Sequence, residues 1–574
     1  MQCTLLPVVL GGGVLALLAA GCSTASYKRT ADKNAYGNIE RVEQQLFGHT
    51  NAFTIDTPYS SRKPATIFPE ELIEDRLRTN SRTLSLDEAI DVAVNNSREY
   101  QTQKETLFKT ALTLSDVRNA AGPTVTPIAG ATFEGDRDTD GHESSSSTVD
   151  SRLVFTQLFK TGGRMTVDLL NSIMFYFSGR PEVSFSRISG SIVQPLWRGF
   201  GANNDEVEAV TQAERNMVYA VRTFSQFQNS FALNVANDYF SILQQKDTIR
   251  STYTNYLRRV SSTERLEARA DRESLNNVQQ ARQAELSARN SYVNAVARYL
   301  TSLDDFKITL GLPITEKLAL EDSVLAEVGR NGLVPVVLNT TTAYNLATQK
   351  QMLILNAIDQ FEDSKRKVRI AADKLKPGLN LIAASSLQSE GTDSTKFDTD
   401  KYEAGFGLRL DLPLDRVPLA NRYRAALITF QSDLRAFTRR LDDLKNSIDR
   451  GMRTLEQRRQ NYETEKAALV LASIRVEYTT MSQEAGRLEV RDLNDALDSY
   501  VTSQIAVTAA LLSYQQARLQ LMLDIGALET AQPKFWLKDQ LVGFLPADAP
   551  IPPARRMIQG EKVPPPDYFF DNLQ

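Results

Sequence analysis

Cysteine is almost missing from this 574-residue chain, with Cys3 and Cys22 alone near the N-terminus. The body of the chain can therefore hold neither a disulfide framework nor a cysteine metal site. Histidine is as scarce. His49 and His142 stand isolated, without the partner that a metal centre or catalytic base requires, and read as surface residues. A formal net charge of -4 leaves no surplus of Lys and Arg to meet phosphates, which argues against a nucleic-acid partner. No G-x4-G-K-S/T, G-x-S-x-G or H-E-x-x-H pattern occurs, and the many Asp/Glu pairs lie on heptad-patterned segments where a solvated face accounts for them. The expectation is a protein that is not an enzyme and carries no cofactor or metal.

Long apolar runs are missing too. Leu5 to Ala20 is too short for a comfortable membrane span and ends in Leu18-Ala19-Ala20-Gly21-Cys22, small residues suited to a cleavage site, so residues 1–21 read as a signal peptide. This ending resembles a bacterial lipobox. The resemblance implies cleavage before Cys22, a lipid on Cys22 and, with Ser23 following, delivery to the outer membrane; an ordinary cleaved signal peptide is the alternative. Residues 22–84 mix polar residues with Pro58, Pro64 and Pro69 without a sustained period, and read as an irregular tail leading away from the anchor.

What the chain does have is repetition. Pro195-Leu196-Trp197-Arg198 followed by Ala202-Asn203 reads P-L-x-R-x3-A-N, and Pro413-Leu414-Asp415-Arg416 followed by Ala420-Asn421 repeats it 218 residues later. An alternating segment enters each motif and a heptad-patterned segment leaves it, so Pro195 and Pro413 are expected to mark strand-to-helix corners. Ser85 with Glu88 forms a capping box that opens a helix running to about Ala121, where Gly122-Pro123 stops it. Ala343 and Ala347 match Ala89 and Ala93 at an offset of 254, which also carries Pro123 onto Pro377. The spacing gives two repeats, 85–312 and 341–528, with β segments at about 123–195 and 377–413. An irregular mid-height linker (313–340) lies between them and a proline-rich tail (529–574) follows. Pro123 to Pro195 spans 72 residues and Pro377 to Pro413 spans 36, so the first repeat carries 36 more, including a plausible hairpin around Gly162-Gly163. Two strands per repeat are expected, and whether the extra residues add strands or outer loops stays open.

The segment 402–412 alternates most clearly. Tyr402, Ala404, Phe406, Leu408, Leu410 and Leu412 face one way; Glu403, Gly405, Gly407, Arg409 and Asp411 face the other. Its 11 residues suit a tilted transmembrane strand with Glu403, Arg409 and Asp411 on the lumen side. A strand of a soluble sandwich is the alternative, and the long helical segments on either side speak against it. After the corners, heptads such as Leu427, Phe430, Leu434, Phe437 and Leu441 predict helices that coil around neighbours. Asn203 to Asp271 spans 68 residues and Asn421 to Gly486 spans 65, roughly 100 Å each as helix. Open strands in lipid must close into a barrel, four are too few for one chain, and so several chains must share it.

Taken together, the duplicated helix-strand-strand-helix unit, the Gln194 to Gly201 corner, the L-G-L-P helix end at Leu310 to Pro313 and the G-x5-D-x2-D-A segment at Gly486 to Ala496 resemble the outer-membrane efflux protein (TolC-like) family, over about residues 85–528. The resemblance implies an α+β membrane protein. Three chains would form a 12-stranded β-barrel continuous with a 12-helix periplasmic α-barrel, acting as the exit duct of a tripartite efflux or type I secretion system. It implies a homotrimer in outer-membrane lipid, partnered by a periplasmic adaptor protein and an inner-membrane RND or ABC-type transporter. It also places Asp492 and Asp495 at a periplasmic gate, with Asn277 and Gln280 as their first-repeat counterparts at an offset of 215. The alternative role for these carboxylates is to favour the start of a helix through its dipole. The rival function is a structural or adaptor-type periplasmic coiled-coil lipoprotein without a barrel.

Overall fold

The computed structural model describes residues 24–137, 143–177, 181–269, 271, 274–336, 338–389, 396–485 and 487–538. The signal segment with Cys22, His142, Gly486 and the tail from residue 539 lie outside the described residues.

In chain order, α1 (Thr24–Phe47), α2 (Pro69–Leu77), β1 (Ser81–Leu84), α3 (Leu86–Asn96) and α4 (Arg98–Ala121) precede four strands. These are β2 (Thr124–Arg137), β3 (Glu143–Leu158), β4 (Arg164–Tyr176) and β5 (Val183–Pro195). The long helices α5 (Asp205–Glu267) and α6 (Leu275–Thr309) follow, then β6 (Lys317–Leu320), α7 (Ser323–Asn331), α8 (Thr340–Lys350) and α9 (Met352–Asp373). Strands β7 (Gly378–Ser389) and β8 (Phe397–Asp411) lead into α10 (Val417–Glu484) and α11 (Val490–Ile525). Two compact units divide the chain, the first drawing on residues 1–62, 101–226 and 352–441 and the second on 63–100, 227–351 and 442–574.

The first unit contains a six-stranded sheet in the order β2-β3-β4-β5-β7-β8, antiparallel throughout. Because side chains alternate along a strand, the register decides which residues share a face. The pairs Val125↔Phe155, Leu153↔Leu169, Leu169↔Ile188, Ile188↔Leu387 and Leu387↔Tyr402 carry one apolar face across all six strands. Large side chains stand in the open on it, Phe133 at 69% and Phe406 at 89% exposure, where a water-facing sheet would bury or replace them. Opposite lie Arg152, Asp168, Arg187, Ser189, Ser386, Glu403 and Arg409. In the same unit a charged network ties α5 to α9. Arg366 bonds Glu208 at 2.7 Å and Asp363 at 2.9 Å, Arg222 bonds Asp359 at 2.5 Å, and the Tyr219 hydroxyl donates to Asp363 at 2.6 Å. Burial drives the Tyr219 hydroxyl well above its ordinary range, so it stays a donor.

In the second unit β1 pairs in parallel with β6, Ser81↔Lys317 through Leu84↔Leu320. The buried Tyr239 hydroxyl lies 3.1 Å from the Leu84 carbonyl and 3.0 Å from that of Glu321, fastening α5 to the C-terminal ends of both strands of this small sheet. The start of the proline-rich tail lies on the body. Phe535 and Trp536 are buried, and the fully buried Arg518 of α11 donates to the Trp536 carbonyl at 3.3 Å and that of Lys538 at 2.5 Å.

The structure departs from the sequence expectation in three places. Residues 24–84 are not irregular, since they hold α1, α2 and β1. The buried stripe of α1 is Ala35, Asn38, Ile39, Val42 and Glu43, and the polar members are satisfied, Asn38 donating to Ser115 Oγ at 2.9 Å and Glu43 accepting from the Asn51 amide at 3.2 Å. Polar residues in the stripe hide its period. The segment 313–340, expected to be irregular, holds β6 and α7. Finally, the helices expected as single runs from 85 and 341 break at Ser97 and Gln351, again 254 residues apart.

Candidate functional site

The two corners are built differently. At the first, the Leu196 amide donates to the Leu379 carbonyl at 2.7 Å, Arg198 pairs with Asp411, and the Gly199 amide donates at 2.7 Å to Asp373, a carboxylate only 2% exposed. The turn between β3 and β4 is pressed into this corner. The Thr161 carbonyl accepts from the Gly201 amide at 2.8 Å, and Thr161 Oγ1 donates to Gln194 at 2.8 Å. Gly162 (φ +81°) has no room for a side chain, because a Cβ there would lie 2.5 Å from the Gly199 carbonyl. The corner at Pro413 is bare by comparison. Asp415 accepts from the Val417 amide at 3.2 Å to start α10, and Leu414 is 90% exposed.

Asp492 and Asp495 lie in the first turns of α11, in the second unit. Asp492 sits at the third helical position and closes a capping box with Glu489, accepting from the Glu489 amide at 3.3 Å. Asp495 is exposed. Asn277 takes the matching place in α6, where its amide donates to Ser274 Oγ at 3.2 Å, with Gln280 one turn on. The ends of α5, α6 and α11 meet through Leu266, Ala281 and Val490, with Val278 packed against them. Sequence reasoning missed Arg259. Only 2% exposed, this α5 guanidinium reaches α11 through the Asn494 carbonyl at 3.0 Å and Asp498 at 2.6 Å. An arginine on a heptad helix looks solvated until the neighbouring helix is in place.

Glu403, Arg409 and Asp411 share the polar face of β8, Glu403 opposite Ser386, Arg409 opposite Asn380, and Asp411 opposite Gly378 and paired with Arg198. Among the described residues no three His, Cys, Asp or Glu side chains gather as metal ligands, and no helix is long and apolar enough to cross a membrane.

The six-stranded antiparallel sheet has one apolar face, and its two groups of strands run on into helices of 63 and 68 residues; solved structures match this fold. The VceC outer membrane protein of Vibrio cholerae matches with a TM-score of 0.56 and 15% identity, over 77% of this chain and 96% of that one. The CmeC outer membrane channel of Campylobacter jejuni matches with 0.57 and 11%, over 77% and 85%. The open-state MtrE outer membrane channel of Neisseria gonorrhoeae matches with 0.55 and 14%, over 77% and 88%. The fold is TolC-like. No family model matches the chain, and no curated protein matches it in sequence.

Proposed function

We propose that this chain is the outer-membrane exit duct of an export system. Three copies close their sheets into a β-barrel in outer-membrane lipid, and their long helices line a tube across the periplasm. Substrates pass through it passively from an inner-membrane RND or ABC-type transporter by way of a periplasmic adaptor, in efflux or type I secretion. The supporting observation is the sheet with one apolar and one polar face. Water on both sides would leave Phe406 and Phe133 uncovered, whereas lipid on one side and water on the other suits both faces. The outer edges of β2 and β8 argue for several copies, since unpaired amides and carbonyls in lipid cost several kcal/mol each.

On this reading residues 85–312 and 341–528 are the two efflux repeats, and Cys22 carries the lipid at the head of the 22–84 segment. Glu403, Arg409 and Asp411 face the lumen, and Pro195 and Pro413 lie near the inner surface of the membrane. Asp492 and Asp495 ring the periplasmic mouth, where threefold symmetry would gather six carboxylates and favour cations. Purified protein is expected to be a trimer that conducts ions in a planar bilayer. A monomer or dimer without conductance would instead support a periplasmic coiled-coil lipoprotein lacking a barrel.

A further inference from the structure

We infer that three copies of this chain build a barrel of 18 strands, six from each, half as many again as the family resemblance implies. The inference rests on the trimeric duct proposed above and turns on whether β3 and β4 belong to the wall or hang from it.

Position argues for the wall. β3 and β4 stand inside the sheet order, and without them β2 would lose its partner. Facing argues the same way. Leu153↔Leu169 and Val149↔Ile173 continue the apolar face, while Arg152 and Asp168 form an ion pair on the polar face, with Nε to Oδ1 at 2.9 Å. A loop in water has no reason to keep this alternation, which runs through Met165, Val167, Leu169, Ile173 and Phe175 in β4 and through Val149, Leu153 and Phe155 in β3. Length agrees as well, at 16 and 13 residues against 12 to 15 for β5, β7 and β8. The inner end of the hairpin is also fixed in the floor of the sheet. Gly163 lies so close to Gln194 that a Cβ would sit 2.2 Å from its Oε1, and Gly162 is as tightly set against Gly199.

Closure follows from parity. Six strands alternate in direction, so β8 of one copy meets β2 of the next antiparallel, 15 residues against 14. At a strand spacing of about 4.8 Å and a tilt of about 40°, 12 strands give a backbone diameter of about 24 Å and 18 give about 36 Å. The cross-section of the outer-membrane section is then about twice that of a 12-stranded wall, which suits cargo larger than a small solute.

A density map of the full-length protein in nanodiscs, viewed along its symmetry axis, tests this directly. Three copies with 18 wall strands are expected. A trimer with 12 wall strands and the β3–β4 hairpin outside, or a 12-stranded ring of two copies, overturns the count. A particle with no ring at all overturns the duct reading itself. Adjacent cysteine variants give a second readout in outer-membrane vesicles with a charged maleimide. L153C points to lipid and V154C to the lumen, so V154C should label at least about ten-fold faster. Equal rates at the two positions would remove β3 from the wall.

Discussion

Gly311 and Gly526, 215 residues apart, end α6 and α11 in left-handed conformations with φ of +75° and +77°. Each is pressed against one of the two helix breaks. A Cβ on Gly311 would lie 2.1 Å from the Asn96 carbonyl oxygen, and one on Gly526 2.7 Å from the Gln351 amide. The left-handed backbone costs an L residue about 1–2 kcal/mol, and the backbone clash adds to it. Gly311→Ala and Gly526→Ala should each therefore lower stability by more than about 2 kcal/mol in chemical denaturation. Gly37, with open space around it in the middle of α1, is the control, and Gly37→Ala should stabilise by about 0.5–1 kcal/mol. Glu43 offers a pH test. Burial raises its pKa above the ordinary carboxylate value, against the lowering effect of the Asn51 amide. The folded state thus binds the proton more readily than the unfolded chain, so this group adds stability as pH falls from neutral through the raised pKa, and the contribution is lost as pH rises. Glu43→Gln should flatten that slope in denaturation curves taken between pH 7 and 4.5. A wild-type slope retained in the variant would assign it to another group.

At the scale of elements, the starts of α6 and α11 ask one residue to serve two ends. Asp492 caps its helix, and in the duct it would also line the mouth. Asn can keep the acceptor oxygen for the cap while removing the charge, so Asp492→Asn with Asp495→Asn separates the roles. Weaker cation preference and weaker block by multivalent cations are expected in bilayer recordings, and unchanged conductance properties would leave Asp492 with the cap alone. Much of this level was legible in the sequence. The P-L-x-R-x3-A-N corners, the Ser85 box and the β8 alternation each depend on residues within a few positions of one another. The breaks at Ser97 and Gln351 were not legible, because the residues packed against them, Gly311 and Gly526, lie far away in sequence. Strands β3 and β4 were only half visible. Ser144 to Ser147 carry little hydrophobic signal, and Leu153 gains its meaning from the register with Leu169.

For the molecule as a whole, the apolar sheet face carries the argument for a membrane, and it becomes a face only once the pairing is known. Residue by residue, Val125, Leu169 and Ile188 are ordinary strand residues; joined across six strands they are a surface that water does not suit. The turn at Thr161 to Gly163, wedged under the first corner, also bears on how such a wall can change over evolutionary time. A single added strand would reverse every later segment and send the helices out of the opposite side of the membrane. A hairpin returns the chain to where it began, so it can be spliced in while both helical hairpins keep their direction. In the threefold ring proposed above each such splice would count three times, so that pore width would change only in steps of six strands.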